Sequence, residues 1–561
     1  MPKVPKVVIV GGVAGGASCA ARLRRQQEFF EIILIDRGKY VSFANCGLPY
    51  YVGEVIQHEK DLLVATPELF EQRFNIHVRT EHEVVSIDRE QKQILINNLK
   101  TNTSYRESYD VLVLSPGASP IKPGLPGVDL PGVFVLKTIP DSNQIREWIK
   151  HYQVQKTIVV GGGFIGLEMT ENLMKRGIQV TLIEKLSQIM PPLDAEIARP
   201  LQEHLKTLGV QLQLNNGLVA IESSQAGQLA VKTQTGEKFE AEMVLLTIGV
   251  RPEVQLAKNA SLQLGTLGGI QVDDEMKTSD PSIFAIGDAV EVVSYGTGRK
   301  ALIPLAGPAN RQGRLVADGI AGKPRKFRGV QGTAVCGFLG MTAALTGETE
   351  KTLRAAKYLK YEKIYLYPGH HVSYYPNAKP IFLKLLFEQA TGQILGAQAV
   401  GEEGVEKRID VIAMAIQMKA TVFDLEDAEL CYAPQYGAAK DPVNMAGMIA
   451  ANIMRGTLKV ADWSGVHQNN IFLLDVRDES EFQREHIPGA VNIPLHQLRM
   501  RLDQIPRDRS IWVYCGVGQR SYYAYRILDQ NGFPVFNLSG GFLTYQNIFD
   551  KNASEVKKSE G

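Results

Sequence analysis

A pattern of strand, glycine cluster, helix, strand and acid occurs twice in this chain of 561 residues, and it limits the possible folds more than any other feature. The first copy comprises strand 7–10, glycine cluster 11–16, strand 32–35 and Asp36; the second comprises strand 157–160, glycine cluster 161–166, strand 180–183 and Glu184. Glycines let the backbone approach a pyrophosphate at a helix N-terminus, and the acid accepts a hydrogen bond from a ribose hydroxyl. The repeat predicts two doubly wound nucleotide-binding domains in an α/β chain.

These two copies supply the first candidate cofactor-binding residues. The candidates of the first copy are Gly11, Gly12, Ala14, Gly15, Gly16, Asp36 and Arg37. Those of the second are Gly161, Gly163, Phe164, Ile165, Gly166, Glu168, Glu184 and Lys185. Val13 replaces the middle glycine of the first copy, which makes that copy weak by itself. Glu184 favours NADH because a carboxylate repels a 2′-phosphate, whereas the neighbouring Lys185 leaves NADPH open.

Length and composition narrow the class of protein. A chain of 561 residues needs three or four domains. Its formal net charge of +1 gives no general attraction to nucleic acid or to an anionic membrane. Five cysteines, an odd and low count, suit a reducing compartment in which a special cysteine is catalytic. The apolar run 7–10 is too short for a signal segment and no stretch spans a bilayer, so we expect a cytoplasmic enzyme, without a metal site.

The pattern of the sequence changes near residue 332. Apparent strands at 381–387 and 394–400 and a helix near 408–418 indicate an α+β domain. The pattern loosens at 451–466, where we expect a linker, and a polar tail is expected at 551–561. The expected domains are 1–150 with 281–330 for the first nucleotide, 151–280 for the second, 331–450 for the α+β domain and 467–550 for a compact α/β unit.

Two later segments, 109–118 (YDVLVLSPGA) and 283–289 (IFAIGDA), resemble further signatures of the FAD-dependent pyridine nucleotide-disulfide reductase family. The resemblance implies FAD in the first domain, with Asp36 on its adenosine ribose and Asp288 on its ribityl or phosphate part. It implies a nicotinamide nucleotide in the second domain, with Phe164 covering the flavin until the nicotinamide displaces it. The other cofactor contacts expected on this basis are Ser42, Asn45, Val84, Ser115, Pro116, Gly117, Gly249, Gly287, Pro304, Leu305 and Ala306.

Segment 42–51 (SFANCGLPYY) contains one cysteine, Cys46, soon after the first acid. We expect it to begin a helix whose N-terminus lowers the pKa of the thiol. Glutathione-reductase-like enzymes carry two cysteines here, spaced C-x4-C, but this chain has Val41 and Tyr51 at the two alternative positions. An internal redox disulfide is therefore excluded. Cys46 can cycle as a sulfenic acid, or as a mixed disulfide or persulfide with substrate.

The same segment resembles that of coenzyme A disulfide reductases, and this resemblance covers residues 1 to about 450. One-cysteine NADH oxidases and peroxidases carry a histidine in the first glycine loop, where this chain has Ala14. The resemblance also implies two active-site tyrosines contributed by a partner subunit, here Tyr374 and Tyr432, and hence a homodimer with a shared site. Coenzyme A, as substrate or bound carrier, would contact Arg22, Ser42, Asn45 and Arg311.

Segments 473–477, 486–494, 513–521 and 538–541 closely resemble those of a single rhodanese domain. Cys515 ends a strand and is followed by a glycine-containing loop that leads into a helix. Backbone N–H groups of such a loop converge on the sulfur and stabilise negative charge on it. Arg520 is expected to add a fixed cation, which makes the loop a cradle for a thiolate or a persulfide.

A one-cysteine reductase joined to a sulfurtransferase predicts one pathway. Hydride passes from NADH through FAD to Cys46, which cleaves a disulfide or persulfide of coenzyme A or a polysulfide, while Cys515 relays sulfane sulfur to give thiol and hydrogen sulfide. An NADH oxidase remains open as an alternative. So does a redox sensor or sulfur carrier.

Overall fold

The computed structural model describes residues 4–224 and 228–549. The tail expected at 551–561 lies outside these residues. The chain divides into two compact units, Met1–Ile189 with Gly209–Gly332 and Met190–Leu208 with Thr333–Gly561. Sheets and helices alternate through both, which confirms the predicted mixed α/β class.

The first unit contains two parallel five-stranded sheets, one for each copy of the repeated pattern. The first sheet has the strand order Ile283–Ala285, Val111–Leu114, Lys6–Val10, Glu31–Asp36 and His77–Thr80. The second has the order Gln211–Gln213, Gln179–Ile183, Lys156–Val160, Met243–Leu246 and Val133–Phe134. In both, the strand that precedes the glycine cluster is central. The carboxyl ends of parallel strands meet at one edge, so each glycine cluster lies beside its acid.

Smaller sheets and helices complete this unit. Its smaller sheets consist of His82–Asp88, Gln93–Asn98 and Thr103–Ser108; Leu218–Ser223, Leu229–Thr233 and Lys238–Ala241; Ala118–Pro120 and Val250–Pro252; and Ile270–Gln271, Val290–Val293 and Lys300–Ala301. Its α-helices are Ala14–Gln26, Leu48–Val52, Pro67–Phe74, Ile139–Tyr152, Phe164–Lys175, Gln255–Asn259 and Ala306–Ile320. Short 3-10 helices span Asn45–Gly47, Glu59–Leu62 and Gly287–Ala289.

Helices Ala14–Gln26 and Ala306–Ile320 pack against each other at two glycines. A Cβ atom on Gly313 would lie 2.3 Å from the carbonyl oxygen of Gly15, which no side chain tolerates. Glycine is needed here because the two backbones approach directly. This contact joins segment 306–320 to the helix that follows the first glycine cluster, although nearly 300 residues separate them in sequence.

The second unit contains one antiparallel and one parallel sheet. The antiparallel sheet has the order Ala334–Phe338, Met341–Gly347, Ile394–Gly401, Ile381–Glu388 and Tyr361–Leu366. The parallel sheet has the order Val491–Asn492, Ile471–Asp475, Ser510–Tyr514 and Val535–Asn537. The α-helices are Ala195–Thr207, Glu350–Ala355, Val405–Gln417, Val422–Glu426, Pro442–Met454, Glu479–Arg484, Gln519–Gln530 and Gly541–Ile548, with 3-10 helices at Trp463–Gly465, Leu498–Met500 and Leu502–Gln504.

Helix Ala195–Thr207 groups with the second unit, whereas the sequence-based division has it inside domain 151–280. The cause is a buried ion cluster around Lys384 on strand Ile381–Glu388. Its ammonium lies 2.8 Å from Asp194, 2.5 Å from Glu196 and 2.6 Å from Glu350. An isolated buried ammonium is very costly, so these carboxylates and the helix that bears Glu196 are held on the sheet.

The stretch 451–466, expected as a linker, is well packed within the second unit. Helix Pro442–Met454 extends into it, and Leu458, Trp463 and Val466 are buried. The indole N–H of Trp463 donates to the carbonyl of Ser539 at 3.0 Å. Buried apolar side chains and a satisfied indole hold this stretch against the parallel sheet that follows it in sequence.

Across residues 4–224 and 228–549, no helix combines the length and the apolar character that crossing a bilayer requires.

Candidate active sites

Each of the two repeated acids binds its own glycine loop. Asp36 accepts hydrogen bonds from the backbone N–H groups of Gly12 and Gly38, both at 2.7 Å. Glu184 accepts from Gly162 and from Leu186, both at 2.8 Å. Burial raises the pKa of Asp36, although these N–H groups act in the opposite direction. The two loops are therefore stabilised in the same way: a carboxylate at the end of a strand accepts hydrogen bonds from backbone N–H groups.

The glycines at both loops are required by contact. A Cβ atom on Gly16 would lie 1.8 Å from the carbonyl oxygen of Gly11, and one on Gly166 would lie 1.9 Å from that of Gly161. Gly163 differs, because a Cβ atom there would meet nothing within 4 Å. The second loop thus leaves open space at Gly163, at the start of helix Phe164–Lys175.

The remaining cofactor candidates occupy several elements of the first unit. Gly15 lies within helix Ala14–Gln26, which Ala14 begins, and Arg37 pairs with Glu253 at 3.3 Å. Phe164, Ile165 and Glu168 form the start of helix Phe164–Lys175, and Lys185 is exposed. Val84 lies in strand His82–Asp88; Ser115, Pro116 and Gly117 follow strand Val111–Leu114; Gly249 precedes strand Val250–Pro252; Gly287 and Asp288 form a 3-10 turn; and Pro304, Leu305 and Ala306 lead into helix Ala306–Ile320.

Lys137 is a cation at this site that no pattern in the sequence singles out. Burial and then the charge of Arg37 lower the pKa of Lys137, while Asp36 and Asp288 act in the opposite direction. Burial raises the pKa of Asp288. The residue precedes the helix cap Thr138, and that cap motif was the only local signal near it.

Cys46 lies in the 3-10 turn Asn45–Gly47, directly before helix Leu48–Val52, as expected. Both Asn45 and Cys46 are exposed. The turn is tied to the first glycine loop through Ser42, whose N–H donates to the carbonyl of Gly12 at 2.7 Å. Ser42 has a left-handed backbone, with φ of 46°, which costs energy for a residue with a side chain.

The expected low pKa of Cys46 is wrong for the protein chain alone. Partial burial, and then the charges of Glu168 and Asp288, raise the pKa of the Cys46 thiol. Burial and the charge of Glu171 raise the pKa of Glu168 itself to about 7. The short 3-10 turn offers a weak dipole, so the two carboxylates and the loss of water outweigh it.

The two positions where a second cysteine would stand hold packed side chains. Val41 is buried against Gly12, and Tyr51 is also buried. The guanidinium of Arg146 lies 4.1 Å from the centre of the Tyr51 ring. The hydroxyl of Tyr51 donates to Asn143 at 3.1 Å. Cys46 therefore has no thiol partner at either position.

The two arginines considered for coenzyme A differ. Arg22 pairs with Asp318 at 2.7 Å, so its charge is largely neutralised within the first unit. Arg311 is exposed on helix Ala306–Ile320. Only the second has a charge directed to solvent, which weakens the assignment of Arg22 as a phosphate contact.

Tyr374 and Tyr432 are brought together in the second unit, although 58 positions separate them in sequence. Their hydroxyl oxygens are 2.7 Å apart, and both side chains are exposed. The hydrogen bond with Tyr374 raises the pKa of Tyr432. The pair presents a protonated phenol to solvent.

Cys515 is buried at the end of strand Ser510–Tyr514, where the N–H of Gly518 donates to its sulfur at 3.2 Å. Gly518 has φ of 102° and begins helix Gln519–Gln530. This backbone is left-handed, which aims the N–H group back at the sulfur. The expected loop around a sulfur is thus present in the second unit.

Arg520 is engaged rather than free. Its two terminal nitrogens donate to the two carboxylate oxygens of Glu481 at 2.6 and 2.8 Å. Sequence reasoning did not identify Glu481, which precedes Arg520 by 39 positions; the only signal was an acid in the first turn of a short helix.

Comparison with known proteins identifies family models that match both parts of the chain. The profile of the family described as "Pyridine nucleotide-disulphide oxidoreductase" matches residues 5–313, its dimerisation domain matches 333–441, and a rhodanese-like domain matches 462–548. The chain is 38% identical to a coenzyme A disulfide reductase of Staphylococcus aureus over 445 residues, which cover 79% of this chain and 99% of that protein.

Solved structures give the same grouping. Reduced CoADR-RHD of Bacillus anthracis has a TM-score of 0.95 and 47% identity, covering 97% of this chain and 98% of that one. A NAD-dependent persulfide reductase from A. fulgidus has a TM-score of 0.89 and 36% identity, covering 96% and 100%. A water-forming NADH oxidase from Lactobacillus brevis scores 0.77 at 28% identity, covering 81% and 99%. The chain therefore belongs to the pyridine nucleotide-disulphide oxidoreductase family and carries that family's dimerisation domain together with a C-terminal rhodanese-like domain.

Proposed function

We propose that this protein is an FAD-dependent NAD(P)H oxidoreductase that reduces the disulfide or persulfide of coenzyme A at Cys46. The observation that carries the proposal is a single exposed thiol beside the first glycine loop, with packed side chains at Val41 and Tyr51. The sulfur–sulfur bond that Cys46 breaks therefore belongs to a substrate. The S. aureus and A. fulgidus relatives are named for this class of reaction.

The first domain fits FAD. Asp36 offers a carboxylate at a strand end, the loop at Gly11 admits no side chain, and the half-buried Asp288 interacts electrostatically with Lys137. These residues would hold the adenosine ribose, the pyrophosphate and the ribityl chain. FAD held by these residues would supply two-electron transfer between a nicotinamide nucleotide and the sulfur of Cys46. We assign residues 1–150 and 281–330 to this domain.

The second domain, 151–280, fits a nicotinamide nucleotide. The open space at Gly163 is where a pyrophosphate would approach the start of helix Phe164–Lys175. The buried carboxylate of Glu184 would bind the ribose hydroxyls and repel a 2′-phosphate, so we assign NADH as the better donor. The exposed Lys185 next to Glu184 offers a positive charge that favours NADPH.

Cys46 acts as a nucleophile toward the substrate. Its thiolate attacks one sulfur of R–S–S–R′, a bond forms between Cys46 and R–S, and the R′–S sulfur leaves with the electron pair and takes a proton. Two electrons and a proton then release R–SH and restore the thiolate. For a persulfide, R–S–SH, the products are R–SH and hydrogen sulfide. Asn45 and Ser42 flank the thiol, and we assign them to substrate or flavin contacts, with the exposed Arg311 on a phosphate of coenzyme A.

Tyr374 and Tyr432 would supply the proton to the leaving sulfur. Their phenols share a 2.7 Å hydrogen bond, and the raised pKa of Tyr432 keeps it protonated. We propose that they serve Cys46 of the partner in a homodimer. Large apolar side chains are exposed in the dimerisation domain, as an interface requires: Tyr374, Tyr375, Met414, Met418, Tyr432 and Tyr436.

Cys515 would relay sulfane sulfur to the reductase, on coenzyme A as a carrier. The N–H of Gly518 on its sulfur supports a role in holding negative sulfur. None of the five cysteines, all among the described residues, forms a disulfide, which supports a place in the reducing cytoplasm. The oxidase alternative is weaker because Ala14 stands where the oxidases carry a histidine, so the first loop has no base there for a peroxide proton.

The test is turnover by the variant Cys46→Ser. We expect loss of NADH-driven reduction of coenzyme A disulfide, while FAD stays bound and is still reduced by NADH. Cys431→Ser, which alters the other exposed cysteine, is the control and should retain activity. Unchanged thiol release by Cys46→Ser rules the proposal out, and oxygen uptake that matches NADH loss without added disulfide supports the oxidase.

A separate variant tests the relay. Cys515→Ser should lose the use of sulfane donors and retain reduction of a simple disulfide. Equal loss with both substrates contradicts a distinct role for Cys515.

A further inference from the structure

The cation beside the sulfur-binding loop of Cys515 is neutralised by one carboxylate. A Cβ atom on Gly516 would lie 3.6 Å from Nη2 of Arg520, so the guanidinium lies against this loop. Both terminal nitrogens of Arg520 are directed to Glu481, in a bidentate pair, and Asp478 lies 3.6 Å from Nη1. Planar, two-point pairing of this kind is the strongest form of an arginine–carboxylate contact.

The loop itself offers a backbone N–H group to a negatively charged sulfur. Gly518 donates to Cys515, and the helix that starts at Gln519 adds its N-terminal dipole. The other nearby arginine, Arg477, is bonded to Asp475 at 2.7 Å. The charges at the loop mouth, Arg520 against Glu481 and Asp478, leave no net positive charge for a dianion.

We propose that Glu481 sets the donor specificity of Cys515 by occupying Arg520, so that the loop accepts the persulfide of an organic thiol and disfavours thiosulfate, whose two negative charges lie directly beside the transferred sulfur. This rests on the proposed role of Cys515 as a sulfur acceptor. In the step concerned, the Cys515 thiolate attacks the outer sulfur of R–S–SH. A bond forms between the Cys515 sulfur and the outer sulfur of the donor, the S–S bond of the donor breaks, and R–S⁻ leaves with the electron pair. The step involves no net oxidation. Thiosulfate would transfer the same sulfur but leave sulfite, whose charge needs a free cation.

Glu481 has a second role that the test must separate from specificity. Its Oε2 accepts from the N–H of Asp478 at 3.1 Å and closes the capping box of helix Glu479–Arg484. Glutamine fills this position of a capping box as well as glutamate does. Glu481→Gln therefore removes the charge and retains the cap. Glu479→Gln, on the same helix and exposed, is the matched control.

The experiment measures sulfur transfer to cyanide by the full-length FAD-loaded protein without NADH, using thiosulfate and glutathione persulfide as donors. For Glu481→Gln we expect kcat/KM with thiosulfate to rise roughly tenfold relative to that with the persulfide, because a released guanidinium attracts the dianion. The double variant Glu481→Gln with Arg520→Met should lose this gain. Glu479→Gln should keep the parent ratio.

A ratio that stays within about twofold of the parent in Glu481→Gln overturns the proposal. So does a gain that persists in the double variant, since the gain is then independent of Arg520. Loss of sulfur transfer from both donors in Glu481→Gln also overturns the proposal, because Glu481 is then a structural residue. NADH-driven reduction of coenzyme A disulfide, measured on the same samples, reports separately on Cys46 and on the wider proposed function.

Discussion

The residues around Cys46 show how a site is tuned by neighbours that are distant in sequence. The chain alone raises the pKa of this thiol through partial burial and the carboxylates of Glu168 and Asp288. Formation of the thiolate in the resting protein is thereby disfavoured, so we infer that bound cofactor and substrate must change these surroundings. Glu168 is the more adjustable of the two acids, because its own pKa of about 7 lies near neutral pH.

Replacing Glu168 tests this coupling. Above pH 7 the Glu168 carboxylate is charged and opposes the thiolate, so Glu168→Gln should lower the pKa of Cys46. Alkylation of the Cys46 peptide by iodoacetamide, followed by mass spectrometry across pH, measures the shift. Glu171→Gln is the control: it removes a charge that raises the pKa of Glu168, so it should not lower the pKa of Cys46. An unchanged profile in Glu168→Gln would show that the two groups are not coupled.

Single residues differ in how far sequence predicts them. Cys46 and Cys515 could be selected because their neighbours in sequence carry the pattern. Glu481 and Lys137 could not, because their roles depend on residues that folding brings near. Arg520 is predicted from the sequence as a fixed cation at the loop, but its carboxylate partner Glu481, 39 positions away, is not. Electrostatic state is a property of the fold, so local patterns do not reveal it.

At the scale of elements, the two strand–loop–helix units were predictable almost in full. Helix Phe164–Lys175 lies between the glycine cluster and the next strand, as the pattern requires, and both acids lie at strand ends. Glycine requirements are local, since a close approach of strand and helix leaves no room for a Cβ atom. Helix Ala195–Thr207 was different: its association depends on Lys384, almost 190 positions later.

The second glycine loop contains one glycine required by close packing and one that leaves space for a ligand. Gly166→Ala should destabilise the protein by about 1–3 kcal/mol, because its Cβ would lie 1.9 Å from the carbonyl oxygen of Gly161. Gly163→Ala should fold normally, because its Cβ meets nothing within 4 Å, and should raise KM for NADH by filling the space proposed for the pyrophosphate. Thermal unfolding and steady-state kinetics measure the two effects. Equal unfolding temperatures for the two variants contradict this distinction.

At the scale of the whole molecule, polar contacts within the second unit join its antiparallel sheet to the rhodanese-like part. Ser539, in the loop that precedes helix Gly541–Ile548, accepts from the N–H of Tyr365 at 2.8 Å, and Lys363 pairs with Asp462 at 3.0 Å. Tyr365 in turn donates to Glu196 at 2.8 Å, within the Lys384 cluster. The rhodanese-like part is thus bonded to the dimerisation sheet.

Lys384→Met tests how much this cluster contributes to stability. Removing the ammonium takes away the ion pair of the buried Asp194 and one of the cations that pair with Glu350, so we expect a loss of about 3–5 kcal/mol in the free energy of unfolding of the second unit. Urea unfolding followed by the fluorescence of Trp463 and Trp512, both in this unit, measures it, with the exposed Lys360→Met as control.

The loss should depend on pH in a defined direction. Burial alone would raise the pKa of Glu350, yet Lys384 and Lys363 hold it at about 2. Its stabilisation is therefore present above the ordinary carboxyl pKa of about 4.3 and disappears as pH falls toward 2. The difference between parent and Lys384→Met should be largest near neutral pH and shrink below about pH 4. A difference independent of pH contradicts the ionic account.

The central claim is that Cys46 forms its sulfur–sulfur bond with a substrate thiol. Mass spectrometry of the full-length protein after incubation with coenzyme A disulfide, without NADH, tests this most directly. We predict one adduct of the mass of coenzyme A on the Cys46 peptide, which NADH removes. An unmodified Cys46, or a sulfenic acid formed there with oxygen in place of the adduct, would contradict the account.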